Sequence, residues 1–124
     1  MANLHVVDAT SLPWVPHRTF PGVSARAIVD AQIGVDLEVK LIRIAPGAEI
    51  TPHTHEVCAE TFYVLSGEGL ICTEGQAQPC HPGMCGHAKA GIVHGVKNTG
   101  AGELQLLAIF TPPTGAPPRS GGTG

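Results

Sequence analysis

The sequence predicts an all-β fold, a sandwich or barrel of short strands, and three observations lead there. Sixteen glycines and eleven prolines interrupt the 124 residues every few positions, which leaves little room for long helices. The intervals between them are short and rich in β-branched or aliphatic residues, as in Leu37–Ala45, Thr61–Leu65, Leu70–Thr73, Ile92–Val96 and Leu104–Phe110. Several such runs with turn signals between them are the pattern of an all-β sandwich or barrel. Hydrophobic residues make up 43% and charged residues 14%, a balance that favours a folded core over disorder.

Taken in order, residues 1–24 carry Pro13, Pro16, Pro21 and Gly22 and read as an irregular segment packing on the barrel or on a partner subunit. An edge strand is expected around Ala27–Asp30. The barrel spans residues 25–111 as one domain, since the length leaves no room for a second. In Thr61–Leu65, Phe62 and Val64 share a face with Glu60, while Thr61, Tyr63 and Leu65 share the other. Both faces are largely apolar, so both are expected to be covered, which suggests a homodimer. The stretch 112–124, PPTGAPPRSGGTG, has little to bury and reads as a disordered or loosely attached tail.

Several function classes are disfavoured. A formal net charge of −3 gives no electrostatic reason to expect a nucleic-acid or anionic-membrane partner. No apolar run approaches the roughly 20 residues of a membrane helix. The first residues show no basic region followed by an apolar stretch, so a cytoplasmic location is expected. The four cysteines then read as reduced thiols rather than disulfides.

Chemistry concentrates in a spaced set of histidines and one carboxylate. After the Pro46-Gly47 turn comes His53-Thr54-His55. In an extended chain, residues two apart point to the same face about 6.5–7 Å from one another, so two imidazoles can converge on one ion. Glu60 opens the next strand and adds a hard oxygen donor, and His94, far along the chain, can close the site from another strand. A mixed nitrogen and oxygen set of this kind suits Fe, Mn, Ni, Zn or Cu and leaves positions open to water or substrate. His5, His17 and His81 read as surface or satisfied histidines.

The spacing of these residues resembles both motifs of the cupin superfamily. The first, G-x5-H-x-H-x4-E-x6-G, is matched by Gly47, His53, His55, Glu60 and Gly67. The second, G-x5-P-x-G-x2-H-x3-N, is matched by Gly83, Gly91, His94 and Asn98, with Lys89 at the proline position as the one departure. The resemblance implies a double-stranded β-helix (jelly-roll-like) barrel holding one metal ion through His53, His55, Glu60 and His94. Gly47, Gly67 and Gly91 would serve turns with positive φ. Asn98 would cap its own loop. Lys89 would leave the turn before His94 looser, or carry its amine toward the opening.

Other residues complete the candidate pocket. Cys58 competes with Glu60 as a softer ligand, or stands near the metal as an oxidisable thiol. His87 or Glu60 would move protons near the ion. Arg43, at period two with Val39 and Leu41, would grip an anion if it faced inward. Trp14 and Phe20 would fold over the barrel mouth or fill a subunit interface. Function stays open between two classes. One is a metal-dependent enzyme (dioxygenase, isomerase or lyase type) on a small organic molecule. The other is a non-catalytic module that binds or senses a small molecule.

Overall fold

The computed structural model describes residues 4–114. Ten strands are present among them: β1 (Val15–Pro16), β2 (Val23–Val29), β3 (Glu38–Ile44), β4 (Glu49–His53), β5 (Ala59–Ser66), β6 (Gly69–Thr73), β7 (Gln76–Cys80), β8 (Cys85–Ala88), β9 (His94–Asn98) and β10 (Leu104–Thr111). They form a six-stranded sheet in the order β1-β2-β3-β10-β5-β8 and a four-stranded sheet in the order β4-β9-β6-β7, with every pairing antiparallel. From β3 onward the chain crosses repeatedly between the two sheets, which is the double-stranded β-helix expected.

Alternation along the strands builds the core. In β10, Leu104, Leu106, Ala108 and Phe110 are buried, and in β5 so are Glu60, Phe62 and Val64. Each aliphatic or aromatic side chain taken fully out of water contributes roughly 1.5–3 kcal/mol. Ile42 and Ile44 of β3, Val23 of β2, and Val96 and Cys80 of the smaller sheet close the same cluster.

Some elements differ from expectation. The strand placed at Ala27–Asp30 is longer and lies between β1 and β3, while Asp30 caps a one-turn helix, α1 (Ala31–Gly34), accepting from the N–H groups of Gln32 and Ile33. A side-chain oxygen at that position takes up helix-end donors better than it would fit a ladder. Strand β7 had no signal because Gln76, Gln78 and Pro79 are exposed on a sheet edge, where proline's missing N–H costs nothing. The tail expected from Pro112 falls mostly outside the described residues. Within them, Pro113 is buried and Thr114 donates its backbone N–H to Glu38 Oε1 at 2.6 Å.

The motif glycines Gly47, Gly67 and Gly91 have φ of +80°, +87° and +86°. At Gly67, between β5 and β6, a side chain would also collide with the Glu103 backbone, so glycine is required on two counts. Asn98 is 1% exposed. Its Oδ1 accepts from Gly100 N–H at 2.9 Å, and its Nδ2 donates to Gly102 O and Ile44 O, both at 2.8 Å. It therefore caps its own loop and also ties β9 to the end of β3 in the other sheet.

Candidate metal centre

Both sheets contribute to the site. His53 ends β4 and pairs across the ladder with His94, the first residue of β9. Glu60 comes from β5 in the larger sheet, flanked by Phe110 and Ala88. The β4 register is irregular between Ile50 and His53. There Gly95 passes so close that a Cβ would lie 2.6 Å from Ile50 O, so the irregular strand needs glycine beside it. His55 lies just beyond β4, and its carbonyl accepts from Gly91 N–H at 2.8 Å. This bond and that of Ile92 N–H to Lys89 O (3.1 Å) close the turn before His94 without the motif proline, and the Lys89 side chain is exposed.

One donor atom from each of His53, His55, Glu60 and His94 lies within 4.8 Å of the others. His53 Nε2 is 3.2 Å from His55 Nε2. Glu60 Oε1 is 3.0 Å from His94 Nε2 and 3.3 Å from His55 Nε2. Two ligands each about 2.0–2.1 Å from one ion stand about 3.0–3.4 Å apart, so these separations fit a shared ion. The second contacts fit as well. His53 Nδ1 is 2.9 Å from Thr51 O, and His94 Nδ1 is 2.9 Å from Ile92 O. A proton on Nδ1 given to a backbone carbonyl leaves the Nε2 lone pair free for a metal. Hence the four residues could hold a divalent transition metal.

Electrostatics favours the charged carboxylate. Burial alone raises the Glu60 carboxyl, but hydrogen bonds and charge from His55 and His94 outweigh it and bring the pKa down to about 2. His94 is raised by its bond to Glu60, against the opposing effect of burial. His53 is lowered, chiefly by burial. A protonated His94 must lose its proton before it can bind an ion, so acid and metal compete there.

The four residues border a cavity of about 210 Å³ whose walls include Phe20, Ile42, Ile50, Leu106 and Phe110. Residues 40–110 match the family model described as "Cupin domain". The chain belongs to the cupin family. An oxalate-binding protein of Thermotoga maritima is 32% identical over 69 residues, covering 56% of this chain and 57% of that protein. Quercetin 2,3-dioxygenase of Bacillus subtilis is 34% identical over 79 residues, 62% of this chain and 23% of that enzyme. This cupin thus spans less than two thirds of the length of either relative. The polyketide cyclase RemF of Streptomyces resistomycificus superposes with a TM-score of 0.81 at 19% identity, over 91% of this chain and 82% of that one, a likeness of fold alone.

Within this cupin, the other candidates separate. His87 faces away from the cavity: it is exposed and its Nδ1 lies 2.8 Å from Thr61 Oγ1 on the outer side of β5. The pairing of Glu60 with Ala88 puts His87 on the opposite face, so the proton-transfer role considered for it has no contact with the cavity. Arg43 is also turned outward, its guanidinium over the Trp14 ring at 4.4 Å and 3.9 Å from Glu103. Trp14 therefore covers the outside of the sheet, with Arg26 also against its ring at 4.3 Å. Cys58 is 4% exposed and outside the converging set. Burial pushes its thiol pKa up, which disfavours the thiolate that ligation or oxidation needs.

Two cavity residues were missed. His17 is exposed with its Nδ1 accepting from Thr19 and Phe20 N–H, as a surface or satisfied histidine should be, but it also lines the cavity, its ring 4.6 Å from that of Phe20. Phe20 in turn lies 5.8 Å from the His53 ring. Lys40 also lines the cavity, from β3. The parity that turns Arg43 outward turns Lys40 inward, a signal that only the strand's true facing makes readable.

Proposed function

We propose that this protein is a metal-dependent enzyme acting on a small organic molecule, with one divalent transition metal held by His53, His55, Glu60 and His94. The observation that carries the reading is the convergence of four donor atoms within 4.8 Å at the wall of an apolar cavity. When bound, the ion would supply Lewis-acid or redox chemistry of the dioxygenase, isomerase or lyase kind. The apolar walls exclude water and hold the organic body of the substrate. Glu60 supplies the one carboxylate of the set and is the nearest group for proton movement beside the ion. The 34% identity to quercetin 2,3-dioxygenase supports the enzymatic reading.

A non-catalytic binding module is the second reading, favoured by the identity to an oxalate-binding protein. The test is elemental analysis of protein purified without a metal-affinity step, followed by assay of substrates before and after chelation. About one metal per chain with chelator-sensitive turnover supports the enzyme. Metal and ligand binding without turnover supports the module. No bound metal, even after incubation with these ions, overturns both.

We also infer a homodimer. Its support is the outer face of the larger sheet, where Val39, Leu41, Leu107 and Ile109 pair across strands beside the exposed Tyr63 and Leu65. The four free cysteines support a reducing, cytoplasmic setting. No described helix is long and apolar enough to cross a membrane.

A further inference from the structure

Strand β3 turns its even-numbered residues toward the interior: Glu38, Ile42 and Ile44 are buried and Lys40 lines the cavity between them. The Lys40 side chain stays 28% exposed, so its ammonium stands at the edge of the cavity, partly desolvated, where a charge acts more strongly than it does in open water. Glu38, 6% exposed, is its neighbour and is itself largely committed. Its Oε1 accepts from both the backbone N–H and the hydroxyl of Thr114. The remaining oxygen, Oε2, stands 3.8 Å from Lys40 Nζ, beyond N–H···O hydrogen-bond range. Lys40 donates no hydrogen bond to any described residue. Glu38 therefore anchors the ammonium by charge while leaving its donors free. Among the described residues no other lysine or arginine lines the cavity.

Lys40 is also close to the candidate metal centre. Its Nζ lies 5.5 Å from the Phe110 ring centroid, and that ring lies 5.6 Å from the ring of His55. One aromatic side chain thus separates the Lys40 ammonium from the ligand set. Glu38 offsets Lys40, and Glu60 offsets only part of a divalent ion, so the loaded cavity carries net positive charge between apolar walls.

We propose that Lys40 is the anion-recognising residue of this cavity, and that its ligand is a small dicarboxylate with one carboxylate at the metal centre and the other on Lys40, so that a mono-amide, its carboxylate at the metal centre, leaves only an amide for Lys40. Val23, Ile42 and Leu106 pack the carbon skeleton between the two ends. The carboxylate accepts the free N–H groups of Lys40 in a charge-assisted bond. Thr114, through Glu38, is a positioning residue. The proposal rests on the metal-site reading above.

The test separates the two. Wild type, Lys40→Gln and Lys40→Arg are loaded with metal, their content is measured first, and their folding is checked by thermal unfolding. Succinate, glutarate and adipate, each beside its mono-amide, are then titrated calorimetrically. One length is expected to bind wild type about 10-fold or more tightly than its mono-amide. Lys40→Gln is expected to bring that ratio near one while leaving metal content and mono-amide binding unchanged, and Lys40→Arg to retain the preference. Loss of metal binding in wild type, seen before any acid is added, overturns the underlying reading and the proposal with it. Normal metal content with no binding of these acids, with no preference in wild type, or with the same preference in Lys40→Gln overturns the proposal alone. In the last case Lys40 is only the ion-pair partner of Glu38.

Discussion

Replacing Glu60 with glutamine in the metal-free protein isolates the charge at the centre of the site. The carboxyl sits at about 2 in the folded protein against an ordinary 4.5. At 1.36 kcal/mol per unit, the difference corresponds to on the order of 3 kcal/mol of folding stability. Because the folded value is depressed, that contribution is present above about pH 4.5 and is lost as pH falls through about 2. His94 is the other side of the same interaction: its folded value is raised, so its contribution is complete below 6.5 and declines as pH rises through the folded value. The difference in unfolding free energy between wild type and Glu60→Gln should therefore form a plateau between about pH 4.5 and 6.5 and fall on both sides. Urea unfolding of chelator-treated protein at a series of pH values measures it, and other carboxylates cancel because both proteins carry them. A difference that stays flat from pH 2 to 6 would refute the hydrogen-bonded Glu60–His94 pair.

Two further outcomes follow from burial. Asn98→Ala removes three hydrogen bonds from a site 1% exposed and is expected to cost on the order of 3–5 kcal/mol in urea unfolding. A loss under about 1 kcal/mol, the range of a surface change, would contradict its role in joining the two sheets. Native-state alkylation with iodoacetamide should label the exposed Cys85 quickly and reach Cys58 and Cys80, buried with raised thiol pKa values, only on unfolding. Equal rates at Cys58 and Cys85 would contradict the placement of Cys58.

The metal centre was legible because its four residues fall at two-residue and motif spacings, and antiparallel pairing brings such positions together wherever the strands cross. The strand content was legible from the glycine and proline punctuation. What escaped depends on facing and on pairing partners. Lys40 and Arg43 are opposite in parity, and with Val39 and Leu41 on one row and Ile42 and Ile44 on the other, hydrophobicity alone could not choose which row faces inward. In fact the row of Val39 and Leu41 packs the outer face, while Glu38 and Lys40 compensate each other inside. His87 could be assigned to a face only once Glu60 was paired with Ala88. His17 lies in a segment with no periodicity, and its place in the cavity comes from stacking on Phe20.

The most direct test of the central claim is calorimetric titration of chelator-treated protein with a divalent transition metal, comparing wild type, His94→Ala and His87→Ala. The account predicts about one ion per wild-type chain. It also predicts a loss of about 100-fold or more in affinity for His94→Ala, since even contacts one shell further out cost 10–100-fold, and no change for His87→Ala. Tight binding that survives in a folded His94→Ala, or that is lost in His87→Ala, would contradict it.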